Sequence, residues 1–140
     1  MSNPRQPNCS LVSLTSCKDA RGTLAFAEAS KEIPFPIQRV FWIYDVPPGE
    51  TRGGHANWKC AEAIFALHGS FDIYVDDGIS SQTYHLEDPD KGIVIPAGVW
   101  CLLSNFEEGT VCFVASDEKY SKEFYINDYN EYKKQVRCRL

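Results

Sequence analysis

The chain has 140 residues and a mass of 15.8 kDa, enough for one domain with its own core and too little for two. A net charge of −5 and a pI near 5.1 argue against a nucleic-acid partner, because phosphate-backbone binders carry a basic stripe. No apolar stretch reaches the length of a membrane helix, so no membrane partner is expected and residues 1–140 read as a single soluble domain.

Residues 1–8 lack the basic start and apolar run of a secretory signal, which favours the cytoplasm. The six cysteines, at positions 9, 17, 60, 101, 112 and 138, form no CxxC pair and read as reduced thiols packed as small hydrophobes. A turn over 19–22 (DARG) leads into an edge strand over 23–27. An edge must be covered or paired, so dimerisation by strand addition is expected.

Residues 38–46 (QRVFWIYDV) are β-branched and aromatic and stop at Pro47-Pro48-Gly49. Trp42 and Tyr44, at alternate positions, would share a face. His55 and Asn57 also lie two apart, so on a strand both point one way, into the interior of a small barrel. Arg52-Gly53-Gly54 before them has two readings. The glycines can make a bulge, or they can leave room for a ligand beside a guanidinium that suits phosphate or carboxylate.

The apolar run 61–67 ends at His68-Gly69, where His68 reads as structural. Residues 70–76 alternate with the two-residue period of a half-buried strand, Asp77-Gly78 supplies a tight hairpin turn, and 80–86 returns with His85 at the surface. Strands over 92–96, 99–103 and 110–115 follow, each bounded by turn residues. Many short strands at this spacing mean an antiparallel sandwich or barrel. Only the end reads as helical: from Ser121 onward Tyr125, Ile126, Tyr129 and Tyr132 recur at three and four residues, a packing face laid on the barrel.

Two groups of residues carry the chemistry. The first is Gly49, His55, Asn57, Glu62 and Gly69; the second is Pro96, Gly98, Cys101 and Asn105. Their spacing resembles the two-part pattern of the cupin superfamily, which implies an all-β cupin jelly-roll barrel with a short C-terminal helical segment. Cupin metal sites use three histidines and a glutamate, and here Asn57 and Cys101 occupy two of those places. An amide is a poor donor, so no metal is expected, although a His/Cys/Glu zinc set is conceivable.

Longer stretches narrow the resemblance. "DARGTLAFAEASKEIPFPIQRVFWIYDVPPGETRGGHAN", "HGSFDIYVDDG", "GIVIPAGVW" and "ASDEKYSKEFYINDYNEY" resemble the WxcM-like sugar 3,4-ketoisomerases from Asp19 to Tyr132. The resemblance implies a homodimer without metal or other cofactor, whose N-terminal strands cross between subunits. It also implies a dTDP-4-keto-6-deoxyhexose substrate, isomerised to its 3-keto form by proton transfer. Many members carry His-Ala-His as a catalytic pair, of which only His55 is present. The resemblance and the residue types together give the expected site. His55 is the base, with Tyr44 relaying a proton; Arg52 takes the diphosphate; and Gly54, Asn57, Trp42, Trp100 and Cys101 lie against the substrate. A catalytically silent nucleotide-sugar-binding cupin and a metal-dependent cupin enzyme are the alternatives.

Overall fold

The computed structural model describes residues 7–139, so most of the segment read for an export signal lies outside the described residues. In chain order the strands are β1 (Ser10–Ser13), β2 (Thr15–Asp19), β3 (Gly22–Phe26), β4 (Arg39–Ile43), β5 (Arg52–Asn57) and β6 (Glu62–His68). They continue as β7 (Phe71–Asp76), β8 (Ser81–Leu86), β9 (Lys91–Ile95), β10 (Trp100–Ser104), β11 (Val111–Ser116) and β12 (Tyr125–Ile126), and one helix, α1 (Tyr129–Arg139), closes the chain.

Alternation along the strands builds two antiparallel five-stranded sheets, β1-β9-β6-β11-β4 and β12-β5-β10-β7-β8. Their inner faces meet in one apolar core, where Ile64, Ala66, Cys112 and Val114 of the first sheet oppose Phe71, Ile73, Val75 and Leu103 of the second. This is the all-β jelly roll with a short C-terminal helix. Each outer face has its own cover. Ile33 and Phe35 lie over Ala63, Phe65, Val94 and Ala115, while Tyr132 and Val136 of α1 lie over Ala56 and Trp100.

The hairpin β2–β3 differs from the rest, since it pairs with neither large sheet and every one of its strand residues is exposed. Its apolar side chains Leu24 and Phe26 are among those exposed.

Two expectations need correction. The helix begins at Tyr129 rather than near Ser121, because Tyr125 and Ile126 are extended and pair with Asn57 and Ala56 of β5. Asp128 sets the helix start by accepting the Glu131 backbone N–H at 2.9 Å. The β7–β8 connection takes four residues, 77–80, and the return strand starts at Ser81 rather than Ser80. Asp77 N–H donates to the Ser80 carbonyl at 3.1 Å, and of the Asp77-Gly78 pair only Gly78 has positive φ.

Gly78 also sets how closely α1 docks. Its φ is +90°, and a Cβ there would stand 2.6 Å from Val136. Gly78→Ala should therefore combine backbone strain with overpacking and cost about 3 kcal/mol of stability, read as a lowered denaturation midpoint.

Candidate active site

The core is apolar along most of its length and becomes polar at one end. On β4, Arg39, Phe41 and Ile43 are partly buried, while Val40 and Trp42 are exposed. Register places Arg39 opposite Ser116 of β11, and Ser116 opposite Glu62 of β6. One rung of the first sheet thus reads Arg39, Ser116, Glu62 where the rungs below it are hydrophobic. Facing it from the second sheet are His55 of β5 and its register partner Cys101 of β10.

The bulge expected of the glycines is present. Pairing steps from Cys101↔His55 to Leu102↔Gly53, passing over Gly54, and both glycines have positive φ. A Cβ on Gly53 would stand 3.1 Å from the Cys101 carbonyl oxygen, so the close approach of β5 to β10 at His55 depends on it.

His55, Glu62 and Cys101 bring their ligating atoms within 4.8 Å of one another. Burial governs all three. It pushes the Cys101 thiol far above its ordinary value and raises the Glu62 carboxyl, with Arg39 offsetting part of the latter. It lowers the His55 imidazole, partly offset by hydrogen bonding to the Gly53 backbone. The imidazole is therefore neutral at pH 7, and a neutral imidazole keeps one ring nitrogen with a lone pair. These donors fit a zinc ion by type, but a thiol and a carboxyl held towards their neutral forms would first have to lose protons.

A cavity of about 530 Å³ opens against His55 and is lined also by Arg39, Phe41, Tyr120, Lys122, Tyr125 and Asn127. Small-molecule sites are commonly roughly 300–1,000 Å³, so a sugar nucleotide has room. Tyr125 organises the wall. Its ring meets the His55 ring edge-on at 5.0 Å, and its hydroxyl oxygen accepts a hydrogen bond from Arg39 Nη2 at 3.3 Å. The Arg39 guanidinium lies 5.0 Å from the Phe41 ring and 5.4 Å from the Tyr120 ring, and its buried Nε has no hydrogen-bond partner.

Of the residues expected from the sequence, His55 lines this cavity and Cys101 lies directly behind it. Gly54 contributes through the bulge. Asn57 is close in sequence but occupied, since its Oδ1 accepts the backbone N–H groups of Lys59 at 2.8 Å and Cys60 at 2.9 Å. Trp100 is buried on the opposite face of its sheet from Cys101, against Tyr129 and Tyr132 of α1 at 5.3 and 5.6 Å. Within the single chain, Trp42, Tyr44 and Arg52 are exposed and line a separate depression of about 200 Å³. The residues missed were Arg39, Phe41, Tyr120, Lys122, Tyr125 and Asn127. Of these, Lys122, Tyr125 and Asn127 come from the segment read as the start of the helix, and Tyr120 lies just before it.

Residues 7–137 match the family described as FdtA: WxcM-like, C-terminal. The chain is 35% identical over 118 residues to a TDP-4-oxo-6-deoxy-α-D-glucose-3,4-oxoisomerase from Aneurinibacillus thermoaerophilus, covering 84% of this chain and 85% of that one. The fold is similar to a 3,4-ketoisomerase from Helicobacter canadensis, with a TM-score of 0.91, 31% identity and coverage of 94% and 98%. It is equally similar to a histidine-to-asparagine variant of the 3,4-ketoisomerase QdtA from Thermoanaerobacterium thermosaccharolyticum, solved with TDP-4-keto-6-deoxyglucose: TM-score 0.91, 31% identity, coverage 95% and 96%.

Proposed function

The chain belongs to the WxcM-like FdtA family, and from that premise we propose that it is a TDP-sugar 3,4-ketoisomerase acting on a TDP-4-keto-6-deoxyhexose. The observation that carries this reading is the cavity against a neutral, half-buried His55 with a guanidinium on its wall. The proton on C3 is acidic because it lies α to the C4 ketone, and a neutral imidazole can take it and return it to C4. The two ketones stand at one oxidation level, so no redox cofactor is required. We assign no metal to the reaction, because an ion on His55 would occupy the lone pair that the base needs.

Arg39 takes the diphosphate in this reading, in place of Arg52. Its Nε is buried and unpartnered, and it makes no ion pair among the described residues. The substrate's ring is placed against Phe41, Tyr120 and Tyr125, which offer apolar faces in the same cavity. The product would feed the making of deoxysugars for surface polysaccharide. Free thiols at all six cysteines suit a reducing compartment, and we place the protein in the cytoplasm.

A homodimer completes the proposal, with the N-terminal strands exchanged between subunits. The support is the unattached β2–β3 hairpin and the exposed Leu24, Phe26, Trp42 and Tyr44. Light scattering should give twice the 15.8 kDa chain mass, and a monomer at that mass would contradict the exchange.

A second reading, a silent nucleotide-sugar binder, is favoured by Asn57, whose amide takes no proton. Following TDP-4-keto-6-deoxyglucose by NMR separates the two. The 3-keto isomer should form, whereas binding without conversion would leave the silent reading standing.

A further inference from the structure

We propose that Tyr125 is the second acid–base group of this site, carrying a proton between the two sugar oxygens while His55 carries one between the two carbons. The proposal rests on the ketoisomerase reading above. That reaction relocates two hydrogens, from C3 to C4 and from O3 to O4. One imidazole nitrogen with a free lone pair can hold only one of them at a time.

The cavity narrows the choice. Asn57 cannot take a proton, and its Oδ1 is held by two backbone N–H groups. Glu62 and Cys101 lie behind His55 and do not line the cavity. Tyr120 and Lys122 line it but are exposed to water, as is Tyr44 in its separate depression. Tyr125 is half-buried and touches His55 at 5.0 Å between ring centroids. Its oxygen accepts from Arg39 Nη2 at 3.3 Å, so its own proton points away from the guanidinium and can be donated. The same guanidinium would face the negative charge left when that proton departs.

The steps balance. The free His55 nitrogen takes the C3 proton, the released pair forms the C3–C4 double bond, and the carbonyl pair moves onto O4, which takes the Tyr125 proton. The resulting phenolate then takes the O3 proton and the C3 carbonyl forms. The double-bond pair captures the imidazolium proton at C4. Both side chains return to their starting forms without an oxidant or reductant.

Tyr125→Phe keeps the ring against His55 and removes only the hydroxyl. We expect kcat on TDP-4-keto-6-deoxyglucose to fall about a hundredfold, with TDP affinity by calorimetry within about threefold of the parent. Unchanged turnover would overturn the assignment. So would a loss of activity matched by a loss of TDP binding, which would make the residue structural. A parent protein that binds TDP but converts nothing would instead sink the ketoisomerase reading itself, so the two failures are distinct.

Discussion

Replacing His55 by asparagine should lower kcat on TDP-4-keto-6-deoxyglucose about a thousandfold, a barrier increase of about 4 kcal/mol, with little change in TDP affinity. The substitution removes the one group against the cavity that combines a free lone pair with a neutral state at pH 7. The pH dependence follows from the same shift. Burial lowers the His55 value below the ordinary 6.5, and a base works only when unprotonated. Activity should therefore hold down through pH 6.5 and be lost as the pH drops through the lowered value. An acidic limb centred above 6.5 would mean that another group titrates.

Arg39→Met should weaken TDP binding about a hundredfold, or ~2.7 kcal/mol, in the range for removing one partner of a buried charge-assisted contact. Two features of the free protein support this size. The guanidinium packs over the Phe41 and Tyr120 rings, and its buried Nε has no partner. The same substitution should leave folding stability unchanged or slightly higher, because it removes a buried donor that is unsatisfied without ligand. Binding and stability thus move in opposite directions, which a general unfolding defect cannot imitate. Arg52→Met is the comparison. Arg52 is exposed in the separate depression with Trp42 and Tyr44, so TDP affinity should change less than about twofold. If Arg52→Met were the damaging change, the diphosphate would belong where the sequence pattern first placed it.

The strands and His55 were legible because their signals are local. Alternation in 70–76 and turn residues at each boundary fix the strands, and two-residue spacing sets His55 on the inner face. The other cavity wall was harder to see. Both parities of QRVFWIYDV are apolar, so the pattern cannot say whether Trp42 and Tyr44 or Arg39 and Phe41 face inward; only pairing with β11 decides. Tyr125 was hidden by a coincidence of spacing, since its distance from Tyr129 and Tyr132 is helical although its backbone is extended. A signal was present: Asp128 followed three residues later by Glu131 is a helix-start pair, and it would have ended the helix before Tyr125. Asn57 points to the interior by parity, yet its side chain caps the turn that follows, a local bond that parity does not reveal.

The bridge between those levels is the bulge at Gly53 and Gly54. It lets β5 approach β10 closely enough to set His55 beside Cys101 and Glu62, at the end of the core where Arg39 and Tyr125 leave an opening. Sequence supplied the residue, and pairing across two sheets supplied its surroundings.

The most direct measurement is proton NMR of TDP-4-keto-6-deoxyglucose in deuterated water, with protein first dialysed against a chelator. The 3-keto isomer should form, with C4 carrying either the hydrogen transferred from C3 or solvent deuterium that has exchanged onto the His55 imidazolium, at a rate that added zinc does not raise. A sugar that keeps its C3 proton, or one that turns over only when a divalent cation is restored, would contradict this account.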